Sequence, residues 1–151
     1  ARLPDGRFLA IGEMGATAEG RHDVLLFPGD PADRATGDPV HLRYTAPRGY
    51  RPTDAVALDE RHLLVLNRRL TLQDLFTATI AIVDLPERLA PDAILKAHTL
   101  ARLAPPLLSD NFEGMAVTRD QGRAIVWIIS DDNHEFFQRT LLLKFQLPAG
   151  L

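Results

Sequence analysis

The chain has 151 residues, of which 46% are hydrophobic and 25% charged, and its formal net charge at pH 7 is -3. This composition is typical of a globular domain with a core, and it argues against disordered and fibrous proteins. The 17 basic residues are scattered along the chain and do not form a stripe, which argues against a role in nucleic-acid binding.

Two further classes are excluded by what the sequence lacks. No cysteine is present, so disulfides, thiolate zinc sites and cysteine nucleophiles are excluded. No apolar stretch approaches the roughly 18 residues of a membrane-spanning helix, so we expect no such helix in this chain. The chain begins Ala1-Arg2-Leu3, without an initiator Met or a leader, and we expect the natural N-terminus to lie elsewhere.

Short runs of alternating apolar and polar residues recur along the chain, bounded by Gly, Pro, Asp and Asn. A period of two is typical of β-strands, and no segment shows a convincing helical stripe. The best helical candidate, 70–76 (LTLQDLF), is short enough to be a single turn in a loop. In chain order, the pattern predicts strands at 7–12, 23–27, 40–45, 54–58, 62–67, 77–85, 95–103, 112–118, 124–130 and 140–147.

The strands repeat one another at a spacing of roughly 60 residues, which is the signature of a repeat architecture. A partial earlier copy is present near the N-terminus. The three matches between the middle and last copies are 54–58 with 113–117 at an offset of 59, 64–69 with 127–132 at 63, and 81–86 with 143–148 at 62.

A repeated unit of four antiparallel strands is typical of a β-propeller blade. We therefore predict an all-β fold with about three blades, at approximately 1–48, 49–108 and 109–151, from a propeller of about six. Three blades alone would expose two apolar faces, so we expect upstream residues or a second chain to supply the remaining blades. A β-sandwich and an open repeat array are alternatives, although sandwiches do not usually repeat a four-stranded unit.

Hairpin geometry places the start of one strand beside the end of the next, so polar residues at those positions share an edge. In the last unit this edge holds Glu113, the run 130–133, His134 and Arg139. By the repeat match, the other units contribute Asp54, Asn67, Arg68, Arg69 and Glu13.

Carboxylate and amide oxygens crowded at such an edge suit calcium, which takes six to eight oxygen ligands. The predicted ligands are Asp131, Asp132, Asn133 and Asp110, together with Glu113. Turn chemistry alone is the favoured explanation of the same residues, because Asp and Asn side chains after a strand hydrogen-bond to nearby backbone. Both interpretations stay open at this point.

Arginines on the same edge, Arg68, Arg69 and Arg139, suit a phosphate group, which guanidinium binds through forked hydrogen bonds. They also suit ion pairs with the neighbouring carboxylates. Glu113 opens a strand just before Gly114, whose missing side chain permits close approach. A general base or metal ligand fits there, and so does a glutamate that fastens one blade to the next.

Other hydrolytic chemistries have no support in the sequence. The five histidines show no zinc-binding spacing, and of these only His134 lies at the predicted edge. The two serines, Ser109 and Ser130, lack the G-x-S-x-G context of a hydrolase nucleophile.

Three segments, 110–116 (DNFEGMA), 127–133 (WIISDDN) and 138–143 (QRTLLL), resemble the closing signature of the phytase-like (esterase-like activity of phytase) family. The resemblance implies the C-terminal half of a bacterial β-propeller, periplasmic or secreted, with a link to hydrolysis of phosphate or other esters and with calcium as a cofactor.

The competing hypothesis is a non-catalytic propeller that binds a protein or small ligand on the same face. The resemblance and the shared strand edge together suggest a role for each polar residue. The predicted roles are catalysis for Glu113 and Arg139, metal binding for Asp131, Asp132, Asn133 and Asp110, and ligand binding for Arg68, Arg69, Glu13 and Asp54.

Overall fold

A computed structural model describes residues 1–86 and 88–150, and the regular structure within these ranges is β-strand without helix. The all-β prediction is confirmed, and each predicted strand has an observed counterpart. In chain order the strands are β1 (Phe8–Ile11), β2 (Arg21–Phe27), β3 (Val40–Thr45), β4 (Arg51–Ala57), β5 (His62–Thr71), β6 (Leu75–Asp84), β7 (Ile94–Leu103), β8 (Phe112–Asp120), β9 (Arg123–Ser130) and β10 (Leu142–Gln146).

The strands form three antiparallel meanders, which we call the first unit (β1–β3), the middle unit (β4–β7) and the last unit (β8–β10). β3 pairs in parallel with β7, for example Tyr44 with Leu95. This pairing joins the first two units into a seven-stranded sheet of order β1-β2-β3-β7-β6-β5-β4, while the last unit is a three-stranded sheet of order β10-β9-β8.

The middle unit buries both of its faces. Side chains alternate between the faces of a strand, so Leu63 and Val65 of β5 join the apolar cluster shared with the first unit. Leu64 and Leu66 join the cluster shared with the last unit. All four are fully buried, and each such side chain contributes about 1.5–3 kcal/mol. The uninterrupted apolar run of β5 is therefore the result of packing on two sides.

The segment 70–76 is the tip of the β5–β6 hairpin: it is not a helix, and its residues 72–74 form the single turn that its short length allowed. Leu70 and Thr71 end β5 and pair across the hairpin with Phe76 and Leu75. Leu75 has a positive φ of 52°, which is unusual for a bulky residue and reverses the chain direction here.

The predicted repeat offset of 59 between the first strands of the two later units is wrong by one residue. Asp54 pairs with Leu66, and Gly114 pairs with Ile129, each just after a bulge in its strand. Asp54 therefore corresponds to Gly114, at an offset of 60, and not to Glu113. Both strands carry this bulge at the same place, so it leaves the offset unchanged; matching by residue type alone aligned the acidic Asp54 with the acidic Glu113.

One edge of the strands gathers the loops that matter for function, and we call it the upper edge. β5 and β9 end there, and β4, β6 and β8 begin there. The loops at this edge are 12–20, 46–50, 72–74, 104–111 and 131–141.

Within the described ranges, no helix is long and apolar enough to cross a membrane.

Candidate functional site

Arg68, near the end of β5, links all three units at the upper edge. Its Nη2 donates to Glu13 Oε1 of the first unit at 2.9 Å, and its Nη1 donates to Glu113 Oε1 of the last unit at 2.6 Å. Nη1 also donates to Asn111 Oδ1. The Arg68 side chain is 21% exposed, so these charge-assisted hydrogen bonds are partly shielded from water and fasten the units together.

Asp110, immediately before β8, is the buried neighbour of this cluster. Its Oδ1 accepts the N–H of Asn111 at 2.9 Å, and its Oδ2 accepts the N–H of Arg139 at 3.1 Å. Arg139 Nε lies 3.6 Å from the same Oδ2. Asn111 Nδ2 in turn donates to the carbonyl of Asp131. The carboxylate of Asp110 thus supports backbone at the upper edge.

The loop after β9 holds the remaining predicted metal ligands in tight turns. Asp131 Oδ1 accepts the N–H of Asn133, and Asp132 Oδ1 accepts the N–H of His134, each at 2.9 Å. The His134 N–H is the main cause of a lowered pKa at Asp132. Asn133 and His134 both have positive φ. These contacts are the turn chemistry that the sequence left open as an alternative to metal binding.

A calcium ion needs several oxygen ligands around one point. Across residues 1–86 and 88–150, no three His, Asp or Glu side chains converge in that way. Asp131 and Asp132 hold loop backbone, Asp110 is buried beneath the loop, and Glu113 is paired with Arg68. Calcium binding at this edge stays a prediction.

Asp54 joins the middle unit to the last unit. Its Oδ2 accepts the N–H of Met115 at 2.6 Å, and its Oδ1 accepts the N–H of Ala55 at 2.7 Å. A Cβ on Gly114 would lie 2.8 Å from Ile129 Cγ2. Ile129 therefore fills the position that a side chain at Gly114 would take, while Gly114 and Asp54 both line a neighbouring cavity of about 320 Å³.

Arg69 has different partners from Arg68 at the upper edge. Its Nη2 lies 3.2 Å from Asp74 Oδ2, and its guanidinium carbon lies 5.0 Å from the centre of the Tyr50 ring. The Nε of Arg69 is buried and has no hydrogen-bond partner among the described residues. Arg69 is thus held by an aromatic ring and one carboxylate, with a donor left over.

A cavity of about 420 Å³ opens beside these arginines. It contains a third arginine that the sequence did not single out: Arg51, the first residue of β4, which lies directly opposite Arg68 on β5. Arg51 Nη1 lies 3.4 Å from Met14 Sδ, and Arg51 forms no ion pair with the described part of the chain. The residues that line the cavity are Gly49, Arg51, Arg68, Arg69, Leu70 and Phe76.

Neither a curated protein nor a solved structure matches this chain. Residues 1–134 match the model of the phytase-like family, which is described as esterase-like activity of phytase. The matched range contains 110–116 and 127–133, two of the three segments that carry the resemblance, and it ends before 138–143. Because the match covers most of the 151 residues, the chain belongs to the phytase-like family.

Proposed function

We propose that this chain is part of a β-propeller whose upper edge binds an anionic small molecule in the cavity of Arg51, Arg68 and Arg69. The observation that carries the proposal is the position of Arg51, which faces Arg68 across two strands without a carboxylate of its own within the described residues. Glu13 and Glu113 already neutralise Arg68, so Arg51 is the arginine of the cavity whose charge is left for a bound anion.

Arg68 and Arg69 are held in position before any ligand arrives. The Arg69 guanidinium carbon lies 5.0 Å from the Tyr50 ring centre, and that of Arg68 lies 5.8 Å from the Phe76 ring centre. Rings at these distances attract guanidinium groups and restrict their motion. Because guanidinium donors match the oxygens of phosphate and carboxylate, the arrangement suits either group, and restricted side chains lose less entropy on binding.

Calorimetric titration with inorganic phosphate at low ionic strength tests the proposal. We expect Arg51→Gln to weaken phosphate binding at least tenfold. Arg123→Gln is the matched control, because Arg123 begins β9 at the opposite edge and its substitution is expected to leave the affinity unchanged. Equal affinities for Arg51→Gln and the unsubstituted chain would overturn the proposal.

Ester hydrolysis at the same edge is a second candidate, and one observation favours it. Glu113 is about one-third exposed and uses Oε1 for Arg68, while its Oε2 makes no hydrogen bond with the described residues. That oxygen is available to take a proton from water. The water oxygen would then bond to phosphorus or to a carbonyl carbon as the bond to the leaving oxygen breaks, with Arg139 near enough to the edge to stabilise negative charge.

Turnover of 4-nitrophenyl phosphate and 4-nitrophenyl acetate, with calcium or with a chelator, tests this candidate. Turnover that calcium supports and that Glu113→Gln abolishes, with thermal stabilisation by calcium, would support hydrolysis and the predicted metal. An absence of turnover under both conditions, with phosphate still bound, would reject the enzyme and leave a binding protein.

A further unit, from upstream residues or from a second chain, is proposed to cover the free face of the last unit. Ile129 and Trp127 of this face correspond to Leu66 and Leu64, which are buried by the next unit. Ile129 is 44% exposed. Self-association in sedimentation velocity that Ile129→Lys abolishes would support this idea, and a monomer insensitive to that change would count against it.

Periplasmic or secreted localisation also belongs to the proposal, and it rests on the resemblance to an exported family. Fractionation of cells that express the full-length protein tests it. Recovery in the periplasm or the medium is the expected result, and recovery in the cytoplasm alone would reject export.

A further inference from the structure

We infer that the ligand of the arginine cavity is a small anion with a single phosphate or carboxylate group attached to an apolar group, and not a polyphosphate. This inference rests on the proposed anion binding at the same cavity. It follows from the charges that surround the three arginines and from the apolar side chains that form the rest of the wall.

The positive charge of the cavity is largely neutralised by the chain itself. Arg68 is paired with Glu13 and Glu113, and Arg69 is paired with Asp74, all at 3.2 Å or less. With Arg51 included, the cavity has three arginines, and three carboxylates balance their three positive charges. The named groups therefore sum to zero, and Arg51 supplies the local positive charge that is not already paired.

Charge placement discriminates between ligand classes. A single anionic group can contact Arg51 and the free donors of its neighbours. A polyphosphate would bring additional negative charges toward Glu13, Glu113 and Asp74, and these carboxylates would repel them. A patch of unpaired arginines would not have this effect. Repulsion of the wrong ligand is a common source of specificity, and here it disfavours polyanions.

The remaining wall of the cavity is apolar. Leu70 and Phe76 lie directly opposite each other on β5 and β6 and both line the cavity. Leu70 is 62% exposed, so an apolar group of the ligand would remove it from water. The cavity volume of about 420 Å³ lies within the range of small-molecule sites.

The hairpin that carries this wall is also strained. Leu75, next to Phe76, has a φ of 52°, in a region that bulky residues rarely occupy. Strain of this kind persists where the surrounding structure imposes it, and it is concentrated at ligand sites. The turn that positions the Leu70–Phe76 pair therefore contains a backbone conformation that leucine does not favour.

Three probes test the inference by calorimetry at one ionic strength: inorganic phosphate, phenyl phosphate and inositol hexakisphosphate. Burial of a phenyl ring against Leu70 and Phe76 is expected to make phenyl phosphate bind about tenfold or more tightly than inorganic phosphate. Inositol hexakisphosphate is expected to bind more weakly than phenyl phosphate.

Substitutions in the wall separate the apolar contribution from the anion contribution. Leu70→Ser and Phe76→Ala are expected to remove most of the advantage of phenyl phosphate, with little change for inorganic phosphate in Leu70→Ser. Leu72→Ser is the matched control, because Leu72 is fully exposed at the same hairpin tip and does not line the cavity. It is expected to change neither affinity.

The outcomes distinguish the two proposals. If inositol hexakisphosphate binds most tightly and Arg51→Gln weakens it, the inference about ligand class is overturned while anion binding stands. If phenyl phosphate binds no more tightly than inorganic phosphate, the apolar wall has no role in binding. The inference about ligand class is then overturned, while anion binding stands. If none of the three probes binds, both proposals are overturned.

Discussion

Arg51 and Arg68 lie directly opposite each other on β4 and β5, and of the two only Arg68 is paired with carboxylates in the described residues. Arg51 therefore supplies unpaired charge to the cavity, while Arg68 fastens the three units together.

Arg51→Gln is expected to change the free energy of unfolding by less than about 1 kcal/mol, because Arg51 is exposed and lies opposite an Arg68 that Glu13 and Glu113 already neutralise. Any change should shrink in 1 M NaCl, where the Debye length falls to about 3 Å. Urea unfolding at low and high salt measures both effects. A loss of more than about 1 kcal/mol would instead give Arg51 a structural role, since this is the size of one net hydrogen bond.

Arg68→Gln is expected to lower the free energy of unfolding by about 1–2 kcal/mol, because Glu13 and Glu113 then lose their shared cation while remaining partly exposed. Glu113→Gln in the same chain should recover part of the loss, since it removes one unpaired charge. Urea unfolding of the two single variants and the double variant measures the coupling. Strict additivity would contradict an interaction between Arg68 and Glu113.

Tyr44→Phe is expected to cost about 1–3 kcal/mol, because the Tyr44 hydroxyl donates to Asn67 Oδ1 at 2.9 Å between two fully buried side chains. This bond joins the first unit to the middle unit, so its loss leaves a buried acceptor without its donor. Thermal or urea unfolding at neutral pH gives the value. Unchanged stability would show that the Asn67 amide finds another partner.

The same residue predicts a dependence on alkaline pH. Burial raises the pKa of the Tyr44 phenol above its ordinary value, which is about 10. The folded state therefore keeps a proton that the unfolded state releases, so this contribution is fully present below about pH 10 and is lost above it by up to about 1.4 kcal/mol per pH unit.

Tyr44→Phe has no proton to lose at this position and is the control for the alkaline effect. The difference in unfolding free energy between the unsubstituted chain and Tyr44→Phe should therefore narrow from pH 9 to pH 11. A constant difference over that range would contradict a raised pKa.

Gln121→Asn is expected to stabilise the chain by about 0.5–1 kcal/mol. Gln121 and Gly122 form the two-residue turn between β8 and β9, with φ values of 47° and 79°. Such turns require positive φ at both positions, and asparagine tolerates it better than glutamine. Gln121→Ala is the control and should bring no gain in urea unfolding. Equal stability of both variants would rule out the backbone explanation.

The strands of this fold were predictable because short apolar runs bounded by Gly, Pro, Asp and Asn recur in every unit, whether alternating as in β2 or continuous as in β5. The tip of the β5–β6 hairpin was not predictable, because Leu75 has a positive φ, which a leucine does not indicate in the sequence. The parallel pairing of Tyr44 with Leu95 was also beyond the sequence, since it depends on how two complete units pack.

The site was predictable in part. The repeat pattern placed Glu13, Arg68 and Glu113 at one edge, and the structure brings them within hydrogen-bonding distance. Arg51 was missed, because its position opposite Arg68 depends on the bulge between Pro52 and Asp54. Counting back from Asp54 along an unbroken ladder would place Arg51 opposite Arg69, so its pairing with Arg68 became evident only with the register known.

The central claim is that the cavity of Arg51, Arg68 and Arg69 binds an anion. The most direct measurement is a titration of the ¹⁵N-labelled chain with inorganic phosphate, followed by amide chemical shifts. We predict that the largest shifts occur at Gly49, Arg51 and Phe76 and disappear in Arg51→Gln. Shifts that are largest at the opposite edge, or that persist in Arg51→Gln, would contradict the claim.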